Sequence, residues 1–269
     1  MKGLFLKKWN AFIRYNEIPG KGETVVYLPG LNLPARVSFF STVMHQKLQG
    51  FNSFLVDYLG SGSSDYPKDF DHSIENHANA VAAILDHQKI SKCSVIGHSM
   101  GGVVGITLAH LRPNLINNLI VCEGNITPGG GDFTSWIVSH SETEYVTIAH
   151  PKYMEEIRAA ASSGDRISEF ISCAWQHANP LSIYRNSKFI VDLDPMFKGN
   201  FFGLQIPRTF VYGEKSLPEN TGKIKADIPD PKELTMHGIN VKVVPNAGHF
   251  MMIDNLPDFV EILNTIVRR

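Results

Sequence analysis

The chain predicts an α/β fold, a mostly parallel sheet with helices on both faces, interrupted by an inserted helical lid. Three observations carry this. Short β-branched runs alternate with helix-period segments as far as residue 122. The alternation stops after Glu123, gives way to a helical, aromatic-rich interval, and resumes at Arg208. A Gly97-His98-Ser99-Met100-Gly101 stretch joins a strand-like run to a helix-like one.

Thr24 to Leu28 is continuous and β-branched, the pattern of a buried parallel strand. Pro34 to Gln49 places Val37, Phe40, Met44 and Leu48 on one helical face. Ser53 to Val56 is the next strand and leads into a turn-rich loop, Asp57-Tyr58-Leu59-Gly60-Ser61-Gly62. Ser73 to Gln88 reads as a helix with Ser73 as N-cap and Ile74, Ala78, Val81 and Leu85 turned inward. Lys92 to Ile96 is a strand, Gly102 to Leu111 a helix closed by Pro113, and Leu119 to Cys122 a further strand. The interval from Asn125 to about Asn200 opens on Gly129-Gly130-Gly131 and carries Phe133, Trp136, Tyr153, Phe170, Trp175, Tyr184 and Phe189. Strands return at Arg208 to Tyr212 and Val241 to Val244, and Pro257 to Val267 forms a last helix burying Phe259, Leu263 and Ile266. The expected division is a core of residues 1–124 and 201–269 with a helical cap at 125–200. Such a cap would cover the C-terminal edge of the sheet, where open α/β sheets bind ligands.

Length and charge bound the function. A chain of 269 residues buries a sizeable core. Its net charge is −1, and its basic residues are scattered, which argues against nucleic-acid and anionic-membrane partners. The expected partner is a small-molecule substrate, and the oligomeric state stays open. No apolar run is long enough to span a bilayer, and Met1 to Lys8 lacks the apolar region of a secretory signal. Cys93, Cys122 and Cys173 form no spaced framework, which points to a reducing, cytoplasmic setting. The histidines at 45, 72, 87, 110, 140, 150, 177 and 237 show no metal-ligand spacing, and no phosphate or dinucleotide loop occurs. No cofactor and no metal are expected.

The chemistry centres on Ser99. A serine at a strand-to-helix corner is held in a strained turn with its hydroxyl exposed, and the helix N-terminus behind it favours a developing oxyanion. A serine hydroxyl needs a base to attack at neutral pH. His249, in Asn246-Ala247-Gly248-His249-Phe250, follows the last strand and so falls on the same sheet edge as Ser99. His98, inside the turn, is expected to pack structurally and to point away from Ser99.

With these pieces in place, the chain resembles the α/β-hydrolase superfamily over essentially its whole length. The matching stretches are Tyr27-Leu28-Pro29-Gly30, Asp57 to Asp65, the turn around Ser99, Tyr212-Gly213-Glu214-Lys215, and Asn246 to Phe250. The resemblance implies the α/β-hydrolase fold and a serine, acid and histidine triad. It also exposes a departure: where most members carry the acid, this chain has Ser216. The haloalkane dehalogenase branch places its acid at the end of the strand after the nucleophile's helix, and Glu123 stands there, 24 residues beyond Ser99. A carboxylate directly after four apolar strand residues also calls for a partner. Glu123 is therefore the leading acid, Glu214 the runner-up, with Asp192 and Asp194 behind. The dehalogenase likeness ends there, because those enzymes attack with aspartate and hold halide with asparagine and tryptophan, where this chain has Leu31 and Met100.

The resemblance further implies an oxyanion hole formed by the backbone N–H groups of Leu31 and Met100, with Asn32 as a candidate additional donor. The reaction expected is hydrolysis of a small-to-medium, partly apolar carboxylic ester through an acyl-enzyme. Lactone, thioester or C–C bond hydrolysis, lyase or cofactor-free haloperoxidase chemistry, and ligand sensing with little turnover stay open.

Overall fold

The computed structural model describes residues 1–268. Eight strands form one sheet in the order β1-β2-β4-β3-β5-β6-β7-β8. They are β1 (Lys2–Leu6), β2 (Ala11–Ile18), β3 (Thr24–Leu28), β4 (Asn52–Asp57), β5 (Cys93–His98), β6 (Ile116–Cys122), β7 (Arg208–Gly213) and β8 (Asn240–Val244). From β4 to β8 all neighbours are parallel. β1 and β2 add an antiparallel hairpin at one edge, beyond the strands expected from the sequence.

The period of two along each central strand divides the core. Val26, Leu28, Val95, Leu119 and Val121 pack on one face, against α2 (Ile74–His87) and α3 (Met100–Leu111). Val25, Tyr27, Ile96, Ile120 and Val211 pack on the other, against α1 (Ala35–Met44) and the C-terminal helix Leu256–Val267. Both faces are covered, so the strands read as unbroken apolar runs. In α2 the Ser73 hydroxyl accepts from the Asn76 N–H at 3.2 Å, and Ile74, Ala78, Val81 and Leu85 are all buried.

α1 departs from expectation. Its α-helical part ends at Met44, because His45 turns extended, and Leu48 is buried from a separate 3-10 turn. The buried face is Ala35, Phe39, Thr42 and Val43, while Val37, Phe40 and Met44 are exposed. The buried stripe is the one that meets the sheet, where Ala35, Phe39 and Val43 share a core cluster with Val25, Tyr27 and Leu55. The buried Asp57 carboxylate accepts from the Ala35 N–H at 2.7 Å and from the Ser63 N–H at 2.8 Å, which satisfies a free N–H of the first turn.

Between β6 and β7 the chain is helical, with principal helices Asp132–Val138, His150–Ser162, Arg166–Ala174, Pro180–Val191 and Phe197–Gly203. Phe133, Trp136, Tyr153 and Trp175 stack against one another with ring centroids 5.0–6.3 Å apart. Phe197–Gly203 packs on α3. No described helix is long and apolar enough to cross a membrane.

Candidate active site

Ser99 sits between β5 and α3 with φ 54° and ψ −120°, a left-handed conformation that costs a side-chain-bearing residue on the order of 1–3 kcal/mol. The surrounding glycines make the corner possible. A Cβ on Gly97 would lie 2.2 Å from the Gly101 carbonyl oxygen, and one on Gly101 would lie 2.1 Å from that of Leu28. The Ser99 N–H donates to Cys122 O at 2.9 Å, which ties the corner to the end of β6. Among the described residues no hydrogen bond ends on Ser99 Oγ, and the side chain opens into a cavity of about 430 Å³.

Glu123 follows β6 in the left-handed region, with φ 47°, and is wholly buried. Its Oε1 accepts from the Gly213 N–H at 2.7 Å, and its Oε2 lies 2.7 Å from His249 Nδ1. The carboxylate thus bridges the end of β7 and the loop after β8. Glu214 lies elsewhere, with Oε2 accepting from the Asn246 N–H at 2.7 Å, so it braces the His249 loop without touching the ring. Asp192 pairs with Lys188 at 2.7 Å, and Asp194 caps the Met196 N–H at 2.8 Å.

His249 is half-buried and lines the same cavity as Ser99. Burial disfavours its charged form. The hydrogen bond and charge of Glu123, joined by the charge of Asp227, outweigh burial and a repulsion from Lys225 and raise its pKa above the ordinary histidine value. His98 supports the loop from beneath: its Nε2–H donates to the His249 carbonyl at 2.8 Å. Burial holds the His98 pKa down at about 3, so the ring stays neutral. It also lines the cavity floor.

Leu31 lies in the loop after β3, at the cavity wall, and among the described residues its N–H donates to no protein acceptor. Met100 supplies the first N–H of α3, which has no intrahelical acceptor. Two loop carbonyls are held, with Trp175 Nε1 donating to Leu31 O at 3.2 Å and Tyr58 OH to Pro29 O at 3.4 Å. Asn32 does not serve as a cavity donor. It does not line the cavity, and its Nδ2 donates to Gly60 O at 2.9 Å while its Oδ1 accepts from Asn186 Nδ2 at 2.7 Å.

The cavity lining is of two kinds. Phe133, Tyr153, Ile171, Trp175 and Phe250 are apolar or aromatic, and Asn125, Asp132, Lys215, Lys225 and Asp227 are polar. Lys225 pairs with Asp132 at 2.6 Å. Asp227 carries a buried oxygen, Oδ1, without a hydrogen-bond partner, and burial raises its carboxyl pKa against the pull of His249. No motif or periodicity in the sequence marks Asp227. It stands on a tight turn in which Lys225 and Ile228 exchange backbone hydrogen bonds, inside a polar tract without periodicity. Among the described residues no cluster of His, Cys, Asp or Glu suits a metal ion.

Residues 23–167, more than half of the chain, match a sequence family described as the alpha/beta hydrolase fold. An uncharacterized protein of Mycobacterium tuberculosis is 32% identical over 120 residues, 44% of this chain and 34% of that one. A putative carbamate hydrolase of Pantoea ananatis is 29% identical over 121 residues, 45% of this chain and 39% of that one. The matched stretch therefore spans well under half the length of these relatives. Among solved structures, a carboxylesterase of the thaumarchaeon Nitrososphaera gargenis superposes with a TM-score of 0.81 at 13% identity, covering 99% of this chain and 98% of that one. The enol-lactonase of Burkholderia xenovorans LB400 superposes with a TM-score of 0.80 at 17% identity over 100% of both chains. At such identities the likeness is one of fold.

Proposed function

This chain belongs to the α/β-hydrolase family, and we propose that it is a cofactor-free serine hydrolase acting on small-to-medium, partly apolar carboxylic esters. One observation carries the reading: the His249 ring, oriented by a wholly buried Glu123, shares a cavity with a strained Ser99.

Ser99 is the nucleophile. Its hydroxyl loses a proton to His249 Nε2 as Oγ attacks the ester carbonyl, and the imidazolium that forms is balanced by the Glu123 carboxylate at Nδ1. The negative oxygen of the tetrahedral intermediate is met by the N–H groups of Leu31 and Met100, each worth about 2.7–4 kcal/mol of barrier. His249 returns the proton to the departing alkoxide and leaves an acyl group on Ser99. Water, deprotonated by His249, then attacks the acyl carbonyl; the acid departs and Ser99 recovers its proton. The helices of residues 125–200 act as a cap whose aromatic lining receives the apolar part of the substrate.

The alternative of a sensing protein with little turnover draws on Ser216, which leaves the usual acid position neutral. Glu123 in contact with His249 supplies that charge from another strand, so the motive for this alternative weakens. Free Cys93, Cys122 and Cys173 accord with a cytoplasmic home.

The test is steady-state hydrolysis of p-nitrophenyl acyl esters by the parent chain and by Ser99→Ala. Multiple turnover in the parent, lost in the variant, supports the reading. Equal rates in both would defeat it.

A further inference from the structure

The cavity is not the only place where the inserted helices meet the catalytic loops. Asn186, in the middle of the helix Pro180–Val191, is wholly buried and does not line the cavity. All of its side-chain bonds reach outside its own helix. His72 Nδ1 lies 3.2 Å and His77 Nε2 2.9 Å from its Oδ1, and its Nδ2 donates to Asn32 Oδ1 at 2.7 Å. Asn32 Nδ2 in turn donates to Gly60 O at 2.9 Å.

The orientation of each amide in this chain follows from its end. The Gly60 carbonyl can only accept, so Asn32 must present its NH₂ there and its oxygen to Asn186. Asn186 must then donate to Asn32 and turn its own oxygen to the two imidazoles, which donate into its two lone pairs. His72 accordingly carries its proton on Nδ1 and His77 on Nε2. A reversal of any one amide would set two acceptors face to face.

The link between Asn186 and the Gly60 carbonyl is Asn32, the residue after Leu31. Asn32 holds φ 50°, a left-handed conformation that asparagine adopts more readily than most residues. Leu31 itself is gripped from the same side of the molecule by Trp175, whose indole N–H reaches the Leu31 carbonyl at 3.2 Å. The inserted helices therefore hold both residues of the Leu31-Asn32 pair, one through a backbone carbonyl and the other through a side chain.

We propose that Asn186 is a positioning residue that couples the inserted helices to the oxyanion-binding loop, by locking Asn32 and with it the direction of the Leu31 N–H. This rests on the reading of Leu31 N–H as an oxyanion donor. Donors of this kind act only when aimed at the charge that develops in the transition state, so a small rotation is felt in turnover. Substrate binding, which uses the cavity walls, is largely spared.

The experiment compares two substitutions that cut the same bond, measured on the full chain with a p-nitrophenyl ester. Asn186→Asp keeps an acceptor for both imidazoles and loses the donor to Asn32. Asn32→Gly removes the other partner and keeps the left-handed backbone accessible. Each should lower kcat by about tenfold or more, short of the roughly 10²–10³-fold loss of a whole donor, with KM within about twofold. The double variant should be no worse than the poorer single by more than about twofold, since one link is lost only once. If both folded variants keep kcat within about twofold of the parent, or if the double variant shows the product of the two losses, the coupling is refuted. Ser99→Ala run alongside separates the two levels. Its inactivity together with unchanged kcat in the link variants overturns the coupling alone, whereas activity in Ser99→Ala overturns the serine reading beneath it.

Discussion

Glu123 Oε2 lies 2.7 Å from His249 Nδ1, across 126 positions of sequence and two neighbouring strands, while the nearer-looking Glu214 spends its carboxylate on the Asn246 N–H. The second Glu123 oxygen is held by the Gly213 N–H at the end of β7, beside the Ser216 position where the superfamily resemblance places an acid. The charge is thus delivered to the same histidine from the neighbouring strand.

Glu123→Gln should lower kcat by about 10³–10⁴-fold, because an amide leaves the imidazolium unbalanced and disturbs the tautomer. Glu214→Gln should cost much less, since it loosens a loop without discharging the ring. Ester-hydrolysis rates of the two purified variants check this, and a reversed ranking would move the acid to Glu214.

Proton transfer requires neutral His249, so kcat/KM should rise with pH through an apparent pKa above the ordinary value of about 6.5. The groups facing the ring set the sign of each shift. Asp227 raises its pKa and Lys225 lowers it, so Asp227→Asn should move the acid limb to lower pH and Lys225→Met to higher pH. pH–rate profiles of the three proteins decide it; unmoved limbs would mean that neither charge reaches the ring.

Stability should fall as pH drops below about 6.5. Burial, the largest influence on each, holds His72 at about 4 and His77 and His98 at about 3. The unfolded chain therefore takes up protons on these rings from about pH 6.5 downward while the folded chain does not. Each ring contributes a loss of up to about 1.4 kcal/mol per pH unit within that window. His249 has the opposite sign, since its raised pKa favours the fold at low pH and fades as pH rises through it. Urea midpoints at pH 7.5 and pH 5 should differ, the lower pH giving the lower midpoint, with a shallower dependence in His77→Gln. A flat profile would contradict the burial of neutral imidazoles.

Much of this was legible in the sequence because it is local. The turn around Ser99 needs glycines at fixed offsets, and buried parallel strands announce themselves as apolar runs. The Glu123 carboxylate stands where the haloalkane dehalogenase branch carries its acid, and the four apolar residues that lead into it add weight. The N-terminal hairpin left only a blurred signal: Ala11, Ile13 and Tyr15 alternate inward, but Phe12 on the outer face hides the pattern. The stripe that α1 buries is chosen by the sheet face it meets, far from it in the chain, so helix periodicity alone selects the wrong stripe. Asp227 and Asn186 are polar residues in ordinary surroundings along the chain, and only tertiary contact brings the one to the cavity and the other to Asn32.

The apolar lining makes a prediction about substrate length. Ile171→Phe would fill space beside Trp175 and Phe250 and should shift the preferred p-nitrophenyl ester to a shorter acyl chain, read as kcat/KM across a chain-length series. An unchanged preference would place the acyl group elsewhere.

Covalent labelling with a fluorophosphonate, followed by intact mass and peptide mapping, reads the reactivity of Ser99 itself. One label per chain is expected, on Ser99, formed quickly in the parent, slowly in Glu123→Gln, and absent from Ser99→Ala. Folded, esterase-active protein that takes no label, or takes it on a residue other than Ser99, would show that Ser99 is not the nucleophile.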